Sequence, residues 1–401
     1  MTIQQDILVD IQDPQKLALR VETDRFGPFT FQVGLNLQAL ELPLVRIKDA
    51  HRRFIGSPLA QVANQLEQEV LVESVHGTNT IEGGDLTPEE TGAVLALPPE
   101  QIKAERQLRV RNIKAAYDLA HATAADPRWR LDVDFLRAAH LTLCRDLPHE
   151  NYQPGVIRNN PRNSITRVGD AAHGGQYKPP QYGRDIERLL QGLVHWHDTL
   201  LDAGVPPTIR APLVHLYFER IHPFWDGNGR VGRVIEATLL LQGGFRYAPF
   251  ALSHFYLEHI DAYFSLFNTC RKADEADKAH PNQAFVAFHL DGMRQTLDAL
   301  HDRVNRIVDQ LLFDARLVAA LEAGELNPRQ YAIVRRVLDN GRPLALTELR
   351  QSSAYQTLYR KKTDKTKQRD LRRLREQGWL RVDAGGMLRP GITAGPDDGV
   401  P

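Results

Sequence analysis

Apolar residues recur at helical spacing along most of the chain. Between residues 57 and 74 they fall at Leu59, Val62, Ala63, Leu66 and Val70, three or four apart, which predicts an amphipathic helix. Residues 105–124, 133–147, 185–201, 209–221, 230–242, 254–271 and 282–323 read the same way. Thr87, Pro88, Glu89 and Glu90 have the composition of a capped helix start: an oxygen acceptor, a proline in the first turn and early acidic charge. A loose alternation of Phe29, Phe31 and Val33 after Gly27 and Pro28 predicts a short extended segment before the first helix. The exception is 148–180, rich in Pro, Gly, Asn and Arg and without helical period. A connection of that length inside a compact body is usually functional or disordered. Within it, SITRVGDAAHGGQYKPP reads as a hairpin with a Gly-containing turn.

Glu325, Leu326, Asn327 and Pro328 end the long helical run. Beyond them the chain has the outline of three short helices, 328–340, 346–350 and 364–377, and a terminal extended pair, which is the order of a winged helix. The tail from Arg389, with its Pro, Gly and Asp, is expected to fray.

Composition narrows the class. The 401 residues carry 50 Lys plus Arg against 50 Asp plus Glu, with 42% hydrophobic content, ordinary for a globular protein of two or three domains. Its two cysteines, Cys144 and Cys270, are far apart, so neither a disulfide framework nor a thiolate zinc site is supported, and a reducing compartment is expected. The first residues, MTIQQDILVDIQDPQK, have no basic n-region or apolar h-region, and no apolar run reaches the roughly 20 residues that cross a bilayer. A cytoplasmic location with no membrane partner is the expectation. Charge is uneven, however: residues 342–382 hold twelve Lys or Arg and four acidic residues, a local net of +8.

One stretch carries chemistry: His222, Pro223, Phe224, Trp225, Asp226, Gly227, Asn228, Gly229, Arg230, Val231, Gly232, Arg233. Pro223 disfavours α geometry at His222, so the preceding helix should stop there and leave the imidazole at an element end. Gly227 and Gly229 allow positive φ and close approach of backbone amides to a ligand, and the loop feeds directly into a helix whose N-terminus adds partial positive charge. Arg230 and Arg233 supply guanidinium forks suited to phosphate oxygens. Asp226 is the kind of single carboxylate that holds Mg²⁺ beside phosphates, and His222 is the natural general base. Each element alone is commonplace. An imidazole, a carboxylate, a glycine nest and two guanidiniums within twelve residues point to a phosphate site.

At these residues the sequence resembles the Fic family, whose signature HPFx(D/E)GNGRxxR is matched at every fixed position. The likeness covers about residues 55–275 and includes Glu219, Arg220, Gly155, Arg158, the 169–180 flap, Leu252, Ser253 and Tyr263. It implies an all-α Fic fold with a short β-hairpin flap, followed by a winged-helix domain of the kind appended to many Fic proteins. The division expected is 1–104 for an N-terminal helical region with an inhibitory helix, 105–275 for the catalytic core, 276–325 for a helical linker, 326–386 for the winged helix and 387–401 for the tail. The implied activity is protein adenylyltransfer, AMP passing from ATP to a Ser, Thr or Tyr hydroxyl. In that reading His222 is the base and Asp226 holds Mg²⁺. Amides around Gly227, Asn228 and Gly229, with the Asn228 side chain, hold phosphates, Arg230 and Arg233 complement the β and γ phosphates, and Tyr263 belongs to the ATP site. Gly174, Gly175, Gln176 and Tyr177 form the tip and return arm of a flap that aligns the target segment. Downstream the chain has His259 and Ile260 where the family often has Asn-Arg.

Upstream, Thr78, Asn79, Thr80, Ile81, Glu82 and Gly83 resemble the family's inhibitory motif, (S/T)xxxE(G/N). Glu82, at the end of a helix stopped by Gly83, would pair bidentately with Arg233 and obstruct the γ phosphate. Three function classes are open: an autoinhibited adenylyltransferase acting on a target protein and on itself; a transferase of the same fold that uses another phosphate-containing donor or removes AMP; and a DNA-binding regulator in which the nucleotide site is a sensor. Basic residues on the 366–377 helix, Lys367, Arg369, Arg372, Arg373 and Arg375, could meet DNA phosphates. Relatives that form dimers add the expectation of a homodimer.

Overall fold

The computed structural model describes residues 17–148 and 153–392; residues 1–16, 149–152 and the tail beyond 392 lie outside the described residues. Two compact units form, one from the chain up to Gly56 with Ala63–His301, the other from Ser57–Val62 with Asp302 onward.

The first unit opens with an antiparallel pair, β1 (Leu19–Val21) and β2 (Phe29–Phe31), in the register Leu19↔Phe31. Phe29 and Phe31 point inward, as the alternation predicted, and the Phe31 ring stacks on Trp196 at 5.7 Å. Helix α1 (Leu37–Ile55), with Pro43 inside it, was not among the helices expected. Leu40, Leu44, Ile47, Ala50 and Phe54 nonetheless bury one face at helical spacing. Then come α2 (Leu59–Ile81), α3 (Pro88–Ala96), α4 (Glu105–Ala124) and α5 (Val133–Cys144). Thr87 caps α3 in a reciprocal capping box with Glu90.

Beyond the irregular stretch lie α6 (Gly183–Asp202), α7 (Pro207–Ile221) and α8 (Asn228–Gln242). The single helix expected over 254–271 is two, α9 (Ala248–Glu258) and α10 (Ile260–Glu275), because the chain turns at His259, whose φ of −118° and ψ of 36° leave the helical region. Helix α11 (Gln283–Glu322) gives its first half to this unit and its second half to the other.

Helices α7 and α8 are buried on almost every side, which places the loop between them at the centre of the unit. Gly232 permits their approach. A Cβ there would lie 2.6 Å from His215 Cδ2, 2.7 Å from its Nε2 and 2.9 Å from Glu219 Oε1. Both Cys144 and Cys270 are free and buried.

The second unit contains α12 (Pro328–Asp339), β3 (Leu344–Ala345), α13 (Leu346–Gln351), α14 (Ser353–Leu358), α15 (Asp364–Glu376), β4 (Leu380–Val382) and β5 (Met387–Pro390). The expected three helices and terminal extended pair are present, with α14 and β3 in addition. The strands form one antiparallel sheet in the order β3-β5-β4, so residues 387–390, expected in a frayed tail, are a central strand. The core is built from Leu317, Val334, Leu344, Leu374, Trp379 and Leu388 among others. Among the described residues no helix is long and apolar enough to cross a membrane.

Gly232→Ala is expected to destabilise the first unit by about 1–3 kcal/mol, since overpacking exceeds the helix-propensity gain of under about 1 kcal/mol. Chemical denaturation measures this, and an unchanged or raised midpoint would contradict the close α7–α8 approach.

Candidate active site

Helix α7 stops at Ile221, and His222 takes a left-handed conformation, φ 50° and ψ 64°, unusual for a residue with a Cβ. Several bonds impose it. The His222 amide still donates to Phe218 O at 2.9 Å, while the His222 carbonyl accepts from Arg158 Nε at 2.6 Å. Arg158 is wholly buried and also donates to Asn160 Oδ1 at 2.7 Å and Pro180 O at 2.5 Å, and its own amide donates to Pro223 O at 2.9 Å. Burial pulls the Arg158 pKa down to about 10, still charged at neutral pH. A fixed guanidinium thus collects the carbonyls around the strained residue, and the His222 imidazole is left facing the cleft, with Nδ1 3.5 Å from Glu219 Oε2.

Phe224 anchors the next part of the loop. Its ring is fully buried and lies parallel to the His140 ring, with centroids 3.8 Å apart. His140 Nδ1 accepts from the Gly155 amide at 2.9 Å, which assigns the proton to Nε2, and Nε2 donates to Asp226 O at 3.0 Å. Burial lowers the His140 pKa to about 4, so the ring is neutral and this arrangement persists at physiological pH. The Asn228 side chain is spent inside the loop: Oδ1 accepts from Phe224 N and Nδ2 donates to Phe224 O, each at 2.9 Å. It therefore braces the turn and does not point into the cleft, contrary to the phosphate-holding role expected of it. Its backbone begins α8, whose first-turn amides have no intrahelical acceptors. Gly227, at φ 79°, supplies the left-handed turn into that helix.

Glu82 sits over this first turn. A Cβ on Gly229 would collide with Glu82 Oε1, and the same oxygen accepts from Arg233 Nη2 at 2.8 Å. The pairing is through a single arm and not the bidentate fork expected, because Arg233 Nη1 turns to Tyr263 OH at 3.4 Å. Arg233 Nη2 also reaches Thr78 O at 3.4 Å. Burial works to raise the Glu82 pKa, but Arg233, Arg230 and Arg109 outweigh it and hold the carboxyl below its ordinary value. The backbone is secured too: Gly83 ends the helix at φ 78°, Arg109 Nη2 donates to Glu82 O at 2.8 Å, and the Thr78 hydroxyl meets Tyr117 OH at 2.6 Å.

A cleft of about 310 Å³ gathers His222, Gly229, Arg233, Tyr263, Glu82 and Tyr177. Arg230 and Asp226 are paired to each other at 2.9 Å beside it, with Arg230 buried and Asp226 half-exposed. The flap is less of a hairpin than expected, with one bridge, Val168↔Tyr177, and no extended arms. Its tip is tied to α10 instead: Asn268 Nδ2 donates to Gly175 O at 2.7 Å and Lys272 Nζ to Gly174 O at 2.6 Å. Gln176 is exposed, while Tyr177 turns inward and donates to Arg220 O at 2.8 Å.

The Fic/DOC family pattern matches residues 130–240, which contain the loop, Arg158 and the flap. The chain carries a Fic domain. Curated relatives named protein adenylyltransferase Fic include one from Drosophila mojavensis, 29% identical over 163 residues, covering 39% of this chain and 30% of the relative. Another, from Drosophila virilis, is 31% identical over 124 residues, covering 31% of this chain and 23% of the relative. The match thus spans less than a third of these relatives' length. Among solved structures, a Fic domain containing signaling protein from Bacteroides thetaiotaomicron aligns with a TM-score of 0.55 at 19% identity, covering 65% of this chain and 97% of that one. Fic-1 from C. elegans aligns at 0.53 and 19% identity, covering 67% and 74%. Likeness at that identity concerns the fold.

Two residues of the Fic domain site were not legible in the sequence. His140 had only its place on an amphipathic helix as a signal, and Arg109, 27 positions from Glu82, had none. For the loop's central clamp, Arg158→Lys is expected to cost about 1–3 kcal/mol, since an ammonium cannot span the three acceptors that the planar fork serves and leaves carbonyls unpaired. Urea denaturation decides it: a loss under about 0.5 kcal/mol, within the range of an ordinary surface substitution, would contradict the clamp.

Proposed function

We propose that the chain is a protein adenylyltransferase held in an autoinhibited state. His222 takes the proton from a target Ser, Thr or Tyr hydroxyl, and the oxygen attacks the α phosphorus of ATP. A phosphodiester bond forms, and the bond to the β phosphate oxygen breaks with pyrophosphate as leaving group. Catalysis of this kind rests on positioning and fixed dipoles. Three observations support the positioning: the imidazole held at the cleft by its left-handed backbone, the open amides of the first turn of α8, and the Arg233 guanidinium directed at that turn.

A Mg²⁺ ion fits the donor set. Asp226 is a single, half-exposed carboxylate beside the amide cradle, and among the described residues no group of three or more His, Cys, Asp or Glu could enclose a metal. That suits an ion that keeps waters and takes phosphate oxygens as its other ligands. Asp226 would hold it, and it would supply charge neutralisation on the phosphates. Arg230, paired to Asp226, orients that carboxylate and adds positive charge behind the cradle. Gly174, Gly175, Gln176 and Tyr177 are proposed as the flap segment beside which the target chain lies, with exposed Gln176 nearest solvent.

The observation that carries the reading is the Glu82 carboxylate over Gly229 with Arg233 as partner. A triphosphate bound to the same amides and guanidinium would bring its charge against that carboxylate, so Glu82 is a brake. A charge-assisted contact is worth about 1.5–3 kcal/mol, and its removal should raise the rate roughly 10- to 100-fold.

Intact-protein mass spectrometry with ATP and Mg²⁺ tests this. Glu82→Gly should gain mass corresponding to AMP about 10- to 100-fold faster than the parent chain, from the same contact energy, and His222→Ala should abolish the gain in either background. An unchanged rate in Glu82→Gly, with His222→Ala inactive, would remove the brake and leave the chemistry. A different adduct from a donor panel would replace ATP as the donor, and no adduct at all would overturn the transfer.

A further inference from the structure

The second unit concentrates charge that the active site does not use. Residues 342–382 carry a net of +8 in a chain that is neutral overall. The structure collects much of it on α15 and the adjoining cleft. Helix α15 buries Asp370, Leu371 and Leu374, and the inner face is locked: Asp370 Oδ2 accepts from Tyr359 OH at 2.9 Å and from Arg329 Nε at 3.3 Å. The outer face is therefore fixed in direction.

That face presents Lys365, Gln368, Arg369 and Arg372, all exposed and at i, i+3, i+4 and i+7, so they share one stripe about 10 Å long. Asp364, the acidic residue at the start of the helix, is neutralised by Lys367 at 2.8 Å, and Arg372 has only a loose 3.5 Å contact with Glu376. A cleft of about 560 Å³ beside the N-terminal end of α15 adds Arg350, Arg360 and Lys362.

We infer that this face of α15 is a docking surface for duplex DNA. Fixed cations opposite a polyanion give affinity through counterion release. A single exposed helix matches the B-form major groove, about 12 Å wide, whereas the A-form RNA groove is too narrow and deep for it. Single strands are bound by stacking on exposed aromatic rings. Here Tyr355, Tyr359 and Trp379 are all buried. Protein interfaces are commonly anchored by buried Trp and Tyr beside Arg, whereas α15 carries no aromatic residue and its apolar Leu371 and Leu374 face inward. Gln368 and Arg369, adjacent on the stripe, are of the types that read adenine and guanine edges, while Lys365 and Arg372 flank them as phosphate contacts.

The test uses the full chain and a fluorescent mixed-sequence duplex of about 30 base pairs, with anisotropy followed as salt rises from about 50 mM. Binding should weaken with a log–log slope of about −0.9 per phosphate contact, and Lys365→Ala with Arg372→Ala should make the slope shallower by roughly 1 to 2. Lys365→Glu should weaken binding further. A charge-matched pair in the first unit, Arg20→Ala with Arg128→Ala, should leave the slope unchanged. Absence of binding at low salt overturns the inference, as does an unchanged slope in the α15 variants. Equal or tighter binding of single strands, RNA duplex or polyglutamate also overturns it, in favour of those partners.

Discussion

The Arg233 guanidinium and the open amides at the start of α8 form one positively biased pocket, and only one anionic group can fill it at a time. In this conformation the group is the Glu82 carboxylate, donated by the end of α2 and held below its ordinary pKa against the pull of burial. Its stability against release comes from more than the ion pair. Arg109 fixes the Glu82 carbonyl, Thr78 is pinned to Tyr117, and Gly83 ends the helix so that the side chain is delivered at the right depth. Under the proposed braking role, release would require the last turn of α2 to shift as a piece, and that turn would be the bistable element on which a signal acts.

The loop from His222 to Asn228 is held at several points. His222 is kept in a left-handed backbone by a buried arginine that caps the end of α7, Phe224 is clamped against His140, and Asn228 closes the turn on itself. Local strain of this kind persists only where the surroundings over-determine it. In the proposed reading, a fixed loop beside a displaceable carboxylate separates chemistry from control: His222 and Arg233 would serve both states, and only Glu82 would change place.

Much of this arrangement was legible because it is written in local backbone chemistry. Pro223 ends a helix, Gly227 turns the chain, and the loop between them is short enough that a few residue types dictate its shape. Glu82 was legible through the resemblance of residues 78–83 to the (S/T)xxxE(G/N) motif. Features that depend on contacts remote in sequence could not be read. The single-armed pairing of Arg233 and the Arg109 contact each arise from neighbours that only the fold supplies. Likewise the flap tip gives its carbonyls to Asn268 and Lys272 of α10 in place of the expected arms. In the second unit the helices were visible in outline, whereas the role of Met387–Pro390 as a central strand depended on pairing with both β3 and β4.

A crystal structure of the Glu82→Gly chain with a non-hydrolysable ATP analogue and Mg²⁺ bears most directly on the shared pocket. The expected result is triphosphate oxygens on the Gly229 and Arg230 amides and on Arg233, in the space that the Glu82 carboxylate fills here. Nucleotide bound elsewhere, with that first turn of α8 left to solvent, would contradict it.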